Sequence, residues 1–176
     1  MKTQIRNNPV FRLCVGLVMI GLTSLACAIG GINIGKNSAT IDVTLNQDQI
    51  NQLLSNATVQ ADTSSDNSLL DKITSVEMHD GFIRTFGTKT QPDGTELSGS
   101  YDVSFGVENG ALKVKIIAVD LPGVDLNDPR IVRANQEMEK GFTEMVTESN
   151  GDVLFKEAIV KDGVLKLTIQ VNFNTK

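Results

Sequence analysis

The stretch LSGSYDVSFGVE, residues 97–108, decides the fold, because its apolar and polar side chains alternate over the whole length. A period of two is typical of a β-strand that has one face in an apolar core and the other face in water. Val103 and Phe105 lie on the apolar face, and Ser100 and Asp102 lie on the polar face. We therefore expect a long strand of an antiparallel sheet, with its polar face exposed to water.

Asp-Gly and Asn-Gly pairs punctuate the chain on both sides of this strand. They stand at positions 80–81, 93–94 and 109–110, and such pairs tolerate the positive φ angles of two-residue type I′ hairpin turns. Their spacing predicts a four-stranded antiparallel meander from Leu69 to Leu121. The alternation of its last strand shifts phase near Ile116, which predicts either a β-bulge that bends the sheet or a strand covered on both faces.

Further helix and strand patterns flank the meander. Residues 41–45 alternate like a strand, and Asn46 and Gln49 form a capping-box pair at the start of a short amphipathic helix. Asn127 or Asp128 as a cap, with Pro129 near the first helical position, predicts the start of a long amphipathic helix. Asp162-Gly163 predicts a final hairpin. The predicted fold class is α+β, with a curved antiparallel sheet of about six to seven strands packed on one long and one short helix.

The composition is that of one ordinary globular domain with a net negative charge. The 176 residues are 40% hydrophobic and 21% charged, with 16 Lys and Arg against 21 Asp and Glu. The chain has one Tyr and no Trp, so it lacks the interleaved basic and aromatic side chains that bind single-stranded nucleic acid. We therefore expect no nucleic-acid partner, and the negative charge also disfavours electrostatic docking on anionic lipid headgroups.

The N-terminal segment has the layout of an export signal. The first twelve residues carry three basic side chains and no acidic one, and an uncharged apolar stretch runs from Leu13 to Ala26. The sequence then stays uncharged up to Lys36, so a retained transmembrane anchor is the alternative to a cleaved signal. Three glycines between positions 30 and 35 disfavour a helix there and favour a flexible tether.

The hexapeptide LTSLAC, residues 22–27, resembles a bacterial lipobox, in which a small residue precedes a cysteine that is lipidated and becomes the mature N-terminus. The resemblance implies a lipoprotein-type signal peptide at 1–26 and lipid attachment at Cys27. A flexible tether would follow at 27–38, and a single α+β domain at 39–176. The protein would then be exported and anchored to the outer face of a bacterial membrane.

Few groups in the sequence could perform catalysis. His79 is the only histidine, and it stands beside the predicted turn at 80–81, where an exposed strand-end residue is expected. The sequence has no G-x-S-x-G motif and no phosphate-binding loop. If Cys14 is removed with the signal and Cys27 is acylated, no thiol is left for a metal site, a disulfide or a nucleophile. We predict a protein that is not an enzyme and has no metal or cofactor; a hydrolase that uses His79 is the less favoured alternative.

The stretch IDVTLNQDQINQLL, residues 41–54, resembles the opening of small bacterial envelope proteins related to the tubular lipid-binding (BPI-like) superfamily. In those proteins a short strand leads into a helix with a Gln-hydrophobic-Asn-x-Leu-Leu run, which here is residues 49–54. The resemblance implies a highly curved antiparallel sheet around a long helix, with an apolar groove that admits acyl chains. The side chains expected to line this groove are Val103, Phe105, Met138, Phe142, Met145 and Ile169.

The same six side chains would also suit the ordinary packing of a helix on a sheet, although methionines are adaptable lining residues. The predicted function is a membrane-tethered, non-enzymatic envelope lipoprotein that binds or carries a lipid-like ligand in a groove between the sheet and the long helix. The alternative is a structural or protein-interaction module of the cell envelope, without a small-molecule ligand. The predicted partners are membrane lipid through acylated Cys27, and either a lipid-like ligand or another envelope protein.

Overall fold

The computed structural model describes residues 29–57, 69–149 and 152–173. The predicted signal peptide and the predicted lipid-attachment residue Cys27 lie outside these residues. Within them, the protein has an α+β fold of eight strands and two helices. In chain order, the elements are β1 (Ile29–Ile34), β2 (Ser38–Asn46), α1 (Gln47–Ala57), β3 (Lys72–His79), β4 (Phe82–Thr90), β5 (Glu96–Glu108), β6 (Ala111–Asp120), α2 (Pro129–Glu148), β7 (Val153–Lys161) and β8 (Val164–Asn172).

The strands form two four-stranded antiparallel sheets instead of the single curved sheet that the sequence predicts. Sheet A has the strand order β1-β2-β8-β7, and sheet B is the meander β3-β4-β5-β6. The predicted meander and the predicted C-terminal hairpin are therefore confirmed. The division into two sheets arises because β2 pairs over its whole length with β8, from Ser38 opposite Asn172 to Asn46 opposite Val164. This pairing joins the two ends of the described chain, which local patterns do not predict.

Strand β1 raises the count above the expected six to seven strands. Residues 29–34, which the sequence analysis assigns to a flexible tether, pair antiparallel with β2. Ile32 and Ile34 alternate with polar and small residues, and they lie opposite Ile41 and Ala39. Glycines disfavour a helix here but are compatible with a strand, because a register shift at the glycine pair accommodates them.

Both predicted helices are confirmed, and each begins at the predicted cap. At the start of α1, the Asn46 N–H donates to Gln49 Oε1 at 2.9 Å, and the Gln49 N–H donates to Asn46 Oδ1 at 2.8 Å. This reciprocal pair is a capping box. Helix α2 begins at Pro129, and the carboxylate of Asp128 accepts a hydrogen bond from the Arg130 N–H at 2.9 Å.

Two of the four predicted Asp-Gly and Asn-Gly turns have positive φ angles at both residues, as a type I′ turn requires. Asn109-Gly110 has φ angles of 52° and 78°, and Asp162-Gly163 has φ angles of 53° and 74°. At 80–81 and 93–94 only the glycine has a positive φ, so the type I′ prediction is wrong at these two turns. In the second case residues 91–95 connect β4 to β5, a longer link than a two-residue turn.

Of the two alternatives for the last meander strand, the structure shows the β-bulge. Asp102 lies opposite Ala118, but the next residue, Val103, lies opposite Ile116. Ile117 is therefore the extra residue of β6, and it is exposed. The extra residue explains the phase shift of the apolar pattern and adds local bend and twist to sheet B.

The two sheets meet along β7. The Phe155 N–H of β7 donates to the Gly110 carbonyl oxygen at 2.8 Å, and the Gly81 N–H donates to the Val160 carbonyl oxygen at 2.8 Å. Two hairpin turns of sheet B thus sit against the backbone of β7. The core beside this contact consists of Val76, Met78, Ile83, Val160 and Leu165.

Candidate functional site

A second apolar cluster lies between the two sheets and α2. Its enclosed centre is formed by Leu112, Phe155 and Ala158. The side chains packed around this centre are all only partly buried. They are Phe105, Val107, Val114, Phe142, Met145, Leu167 and Ile169. The structure therefore brings together four of the six side chains that the sequence analysis assigns to a groove.

The other two predicted groove residues lie elsewhere. Val103 and Met138 are half-buried and are not among the side chains that pack around the cluster centre. Val103 lies on β5 opposite Ile83 and Ile116. Met138 lies on α2, one helical turn before Phe142. We name the set of ten side chains around Leu112 the apolar cluster, and we take it as the candidate site.

Polar contacts hold α2 beside β6 and so position the helical side of the apolar cluster. The Asn135 side-chain Oδ1 accepts a hydrogen bond from the Ile116 N–H at 2.8 Å. Lys113 of β6 forms an ion pair with Glu139 of α2. The Glu139 carboxylate helps raise the pKa of Lys113, and hydrogen bonding from Lys113 lowers the pKa of Glu139. Both contacts fix the helix along the edge strand.

The three residues at the centre of the apolar cluster are not among the predicted groove residues. The Phe155 ring meets the Phe142 ring edge to face, with a centroid distance of 6.3 Å and an interplanar angle of 86°. In β7 the register shifts between Phe155 and Glu157. Because of this shift, the inward face of β7 does not follow a simple period of two. Leu112 does follow the alternation of β6, so its place on the inner face could have been found.

The polar face of β5 differs from the expected water-exposed surface. Ser100 and Asp102 are buried, and Asp102 is only 6% exposed. On the neighbouring strand, Arg84 donates from Nε to Asp102 Oδ1 at 2.7 Å and from Nη2 to Oδ2 at 2.8 Å. These hydrogen bonds raise the pKa of Arg84. The bidentate pair occupies both carboxylate oxygens of Asp102, so this carboxylate is a structural group of sheet B.

The only histidine of the chain belongs to a surface stack. The His79 ring lies parallel to the Phe82 ring at a centroid distance of 4.8 Å, and its Nε2 lies 3.5 Å from Glu77 Oε2. The Arg84 guanidinium covers the Phe82 ring at 5.6 Å. In the described residues, no group of three His, Cys, Asp or Glu side chains could hold a metal ion.

An open cavity of about 550 Å³ lies along the solvent-facing side of α2. Polar and charged side chains between Gln136 and Glu148 line it, and it includes none of the predicted groove residues. Over the ranges 29–57, 69–149 and 152–173, no helix is long and apolar enough to span a bilayer.

Comparisons of the chain with protein-family models, with curated proteins and with solved structures give no match. The resemblance of residues 41–54 to the tubular lipid-binding superfamily therefore stays a prediction.

Proposed function

We propose that the protein is a non-enzymatic envelope lipoprotein, anchored through acylated Cys27 at the outer face of a bacterial membrane, whose domain binds a lipid-like apolar ligand. The observation that carries the proposal is the incomplete burial of the apolar cluster. Seven apolar side chains surround a centre of three, and each of the seven keeps part of its surface exposed. An acyl chain seated against them would cover that surface.

The chemistry of the apolar cluster favours an acyl chain over a polar ligand. None of its ten side chains is charged or carries a hydrogen-bonding group, so binding would depend on apolar contact. Removing apolar surface from water contributes about 25 cal/mol per Å², so covering about 100 Å² would contribute about 2.5 kcal/mol. Met145 can adjust its conformation to chains of different shape.

Lipid retention by the full chain tests this proposal. The protein is purified from native membranes in mild detergent, and the bound lipid is extracted and quantified. Phe142→Asp introduces a charge into the apolar cluster, whereas Thr143→Asp introduces the same charge at the adjacent, exposed position of α2. We expect the first variant to lose the lipid and the second to retain it.

A second substitution covers the case in which Phe142→Asp does not fold. Met145→Trp enlarges a side chain of the apolar cluster without adding a charge, so it should displace the ligand while the core stays apolar. Circular dichroism checks the fold of each variant. Absence of lipid from the wild-type protein, or equal lipid in wild type, Met145→Trp and Thr143→Asp, contradicts the proposal.

A protein-interaction module of the envelope is the second candidate function, and the position of β1 favours it. Strand β1 ends the strand order of sheet A, and an edge strand presents backbone N–H and C=O groups that can pair with another chain. Its side chains Ile32 and Ile34 are exposed. Crosslinking in native membranes separates the two candidates, since a module yields a stoichiometric protein partner and a lipid-binding protein yields lipid.

A further inference from the structure

The register of sheet A produces a row of four apolar side chains that crosses the whole sheet. Ile32 of β1 lies opposite Ile41 of β2, Ile41 lies opposite Ile169 of β8, and Ile169 lies opposite Phe155 of β7. Directly opposed residues of antiparallel strands point to the same face. The exposed fraction falls from 57% at Ile32 to 7% at Phe155. The row therefore connects the exposed edge of sheet A with the centre of the apolar cluster, over about 14 Å at the usual strand spacing.

The exposed end of this face carries more apolar side chains. Ile34, Ala39 and Val171 form the next row, and Ile34 is 74% exposed. Phe173 continues the register of β8 and is 45% exposed. Seven large apolar side chains are exposed in the described part of the chain, and three of them, Ile32, Ile34 and Phe173, lie at this end of sheet A. Such clustering marks an interaction surface, whereas scattered single side chains would not.

We propose that this end of sheet A, defined by Ile32, Ile34 and Phe173, docks into membrane lipid at the boundary between headgroups and acyl chains. The inference rests on the proposed function, since it takes Cys27 as the anchored residue. Strand β1 begins at Ile29, two residues after Cys27. An extended chain covers at most about 3.6 Å per residue, so Ile32 lies within about 18 Å of Cys27 and Ile34 within about 25 Å. Anchoring at Cys27 thus holds this surface beside the bilayer.

The charge distribution of sheet A suits this orientation. Residues 28–35, AIGGINIG, are uncharged, so β1 can enter the interface without removing a charge from water. Lys36, the next residue, is exposed and can keep its ammonium group among the lipid headgroups. The opposite face of sheet A is polar: the Thr168 hydroxyl donates to Asp42 at 2.7 Å, and Lys166 pairs with Glu157 at 2.9 Å.

Docking in this orientation would connect the bilayer with the candidate site. The row from Ile32 to Phe155 is apolar throughout, so an acyl chain could move along it without crossing water. The apolar cluster would then exchange its ligand directly with the membrane that carries the anchor.

Depth-dependent fluorescence quenching tests the proposal on the full-length protein in phosphatidylcholine vesicles. Ile34→Trp and, as a matched control, Ile159→Trp are prepared; because the chain has no other Trp, the introduced indole is a site-specific fluorescent probe whatever the state of Cys27. Ile159 is 44% exposed and lies on the opposite face of sheet A. Lipids with a spin label near the headgroup boundary should quench the probe at position 34 at least threefold more than the probe at position 159. Both substituted side chains are exposed, so the fold should tolerate the changes.

The intact mass of the same samples tests the anchor at Cys27 separately from the docking of sheet A. Acylated Cys27 with equal quenching at positions 34 and 159 overturns the docking proposal and leaves the anchor intact. A free Cys27 thiol with selective quenching at position 34 supports the docking surface and overturns the anchor. A free thiol with equal quenching overturns both.

Discussion

The side-chain amide of Asn51 pairs with the backbone of Val76 in the way that a neighbouring strand would. Its Nδ2 donates to the Val76 carbonyl oxygen at 3.2 Å, and its Oδ1 accepts from the Val76 N–H at 2.7 Å. Asn51 belongs to α1, and Val76 belongs to the edge strand β3. At the other edge of sheet B, Asn135 of α2 makes the same two contacts with Ile116, at 3.4 and 2.8 Å. Each helix thus closes one edge of the meander with an asparagine.

These two asparagines should contribute more to stability than exposed polar residues on the same helices. Asn51→Ala or Asn135→Ala leaves a part-buried edge N–H and C=O without their partner, which costs about 1–3 kcal/mol. Gln136→Ala, at the exposed neighbouring position, is the control and should change the free energy of unfolding by less than about 0.5 kcal/mol. Urea denaturation measures the free energy of unfolding of each variant. Equal losses of this free energy in all three variants would show that the asparagine contacts at the sheet edges are not stabilising.

Two glycines of β5 should respond in opposite ways to the same substitution. A Cβ at Gly99 would overlap the Leu121 side chain and the Asp120 carbonyl oxygen, whereas a Cβ at Gly106 would meet no atom within 4 Å. Gly99→Ala should therefore destabilise the protein by about 1–3 kcal/mol. Gly106→Ala should be neutral or slightly stabilising, because Ala restricts the unfolded chain. Thermal unfolding compares them, and similar effects of both substitutions would contradict the close packing of Leu121 on β5.

Asp128, the cap of α2, should make the stability of the protein depend on pH. Hydrogen bonds from the Arg130 side chain and N–H lower the pKa of Asp128 from 3.8 to about 2. The unfolded state therefore binds the proton more readily than the folded state, so the charged cap stabilises the fold above pH 4. That contribution is lost as the pH falls through 2. Asp128→Asn should lower Tm at pH 7, and the gap to wild type should shrink toward pH 2.

Asp125→Asn is the control for this pH profile, because it removes the same charge from the loop before α2 without touching the Arg130 pair. A Tm gap between Asp128→Asn and wild type that stays constant from pH 7 to pH 2 would contradict the assigned role of Asp128.

The ion pair between Arg84 and Asp102 should show strong coupling. Arg84→Ala leaves the enclosed Asp102 carboxylate without its bidentate partner, which is the costly way to break such a pair. The double variant that also carries Asp102→Ala should have a higher Tm than Arg84→Ala alone. Lys140→Ala, which breaks an exposed pair with Glu144, should leave Tm nearly unchanged. If the Tm losses of Arg84→Ala and Asp102→Ala simply add up in the double variant, the coupling is contradicted.

Local patterns predicted the elements of the fold well. The meander, the capping box at Asn46, the cap before Pro129 and the bulge near Ile116 each depend on neighbouring residues, so local sequence patterns can indicate them. The division into two sheets depends instead on pairing of β2 with β8, which lie at opposite ends of the described chain. The glycines of β1 predict a tether because they disfavour a helix, although a strand tolerates them.

The candidate site was predictable only in part. Phe142 and Met145 follow the helical spacing of α2, and Phe105 and Ile169 follow strand alternation, so all four were found. Phe155 was missed because the bulge in β7 changes its phase. The burial of Asp102 was also unexpected, since a polar face of alternating residues gives no sign that Arg84 on the next strand will cover it.

Native mass spectrometry of the protein released from native membranes in detergent tests the central claim most directly. The proposed function predicts a chain that begins at Cys27 and has acyl groups covalently attached to that residue, together with a lipid adduct that dissociates on collisional activation. A chain that retains residues 1–26, has a free Cys27 thiol and carries no lipid adduct would contradict it.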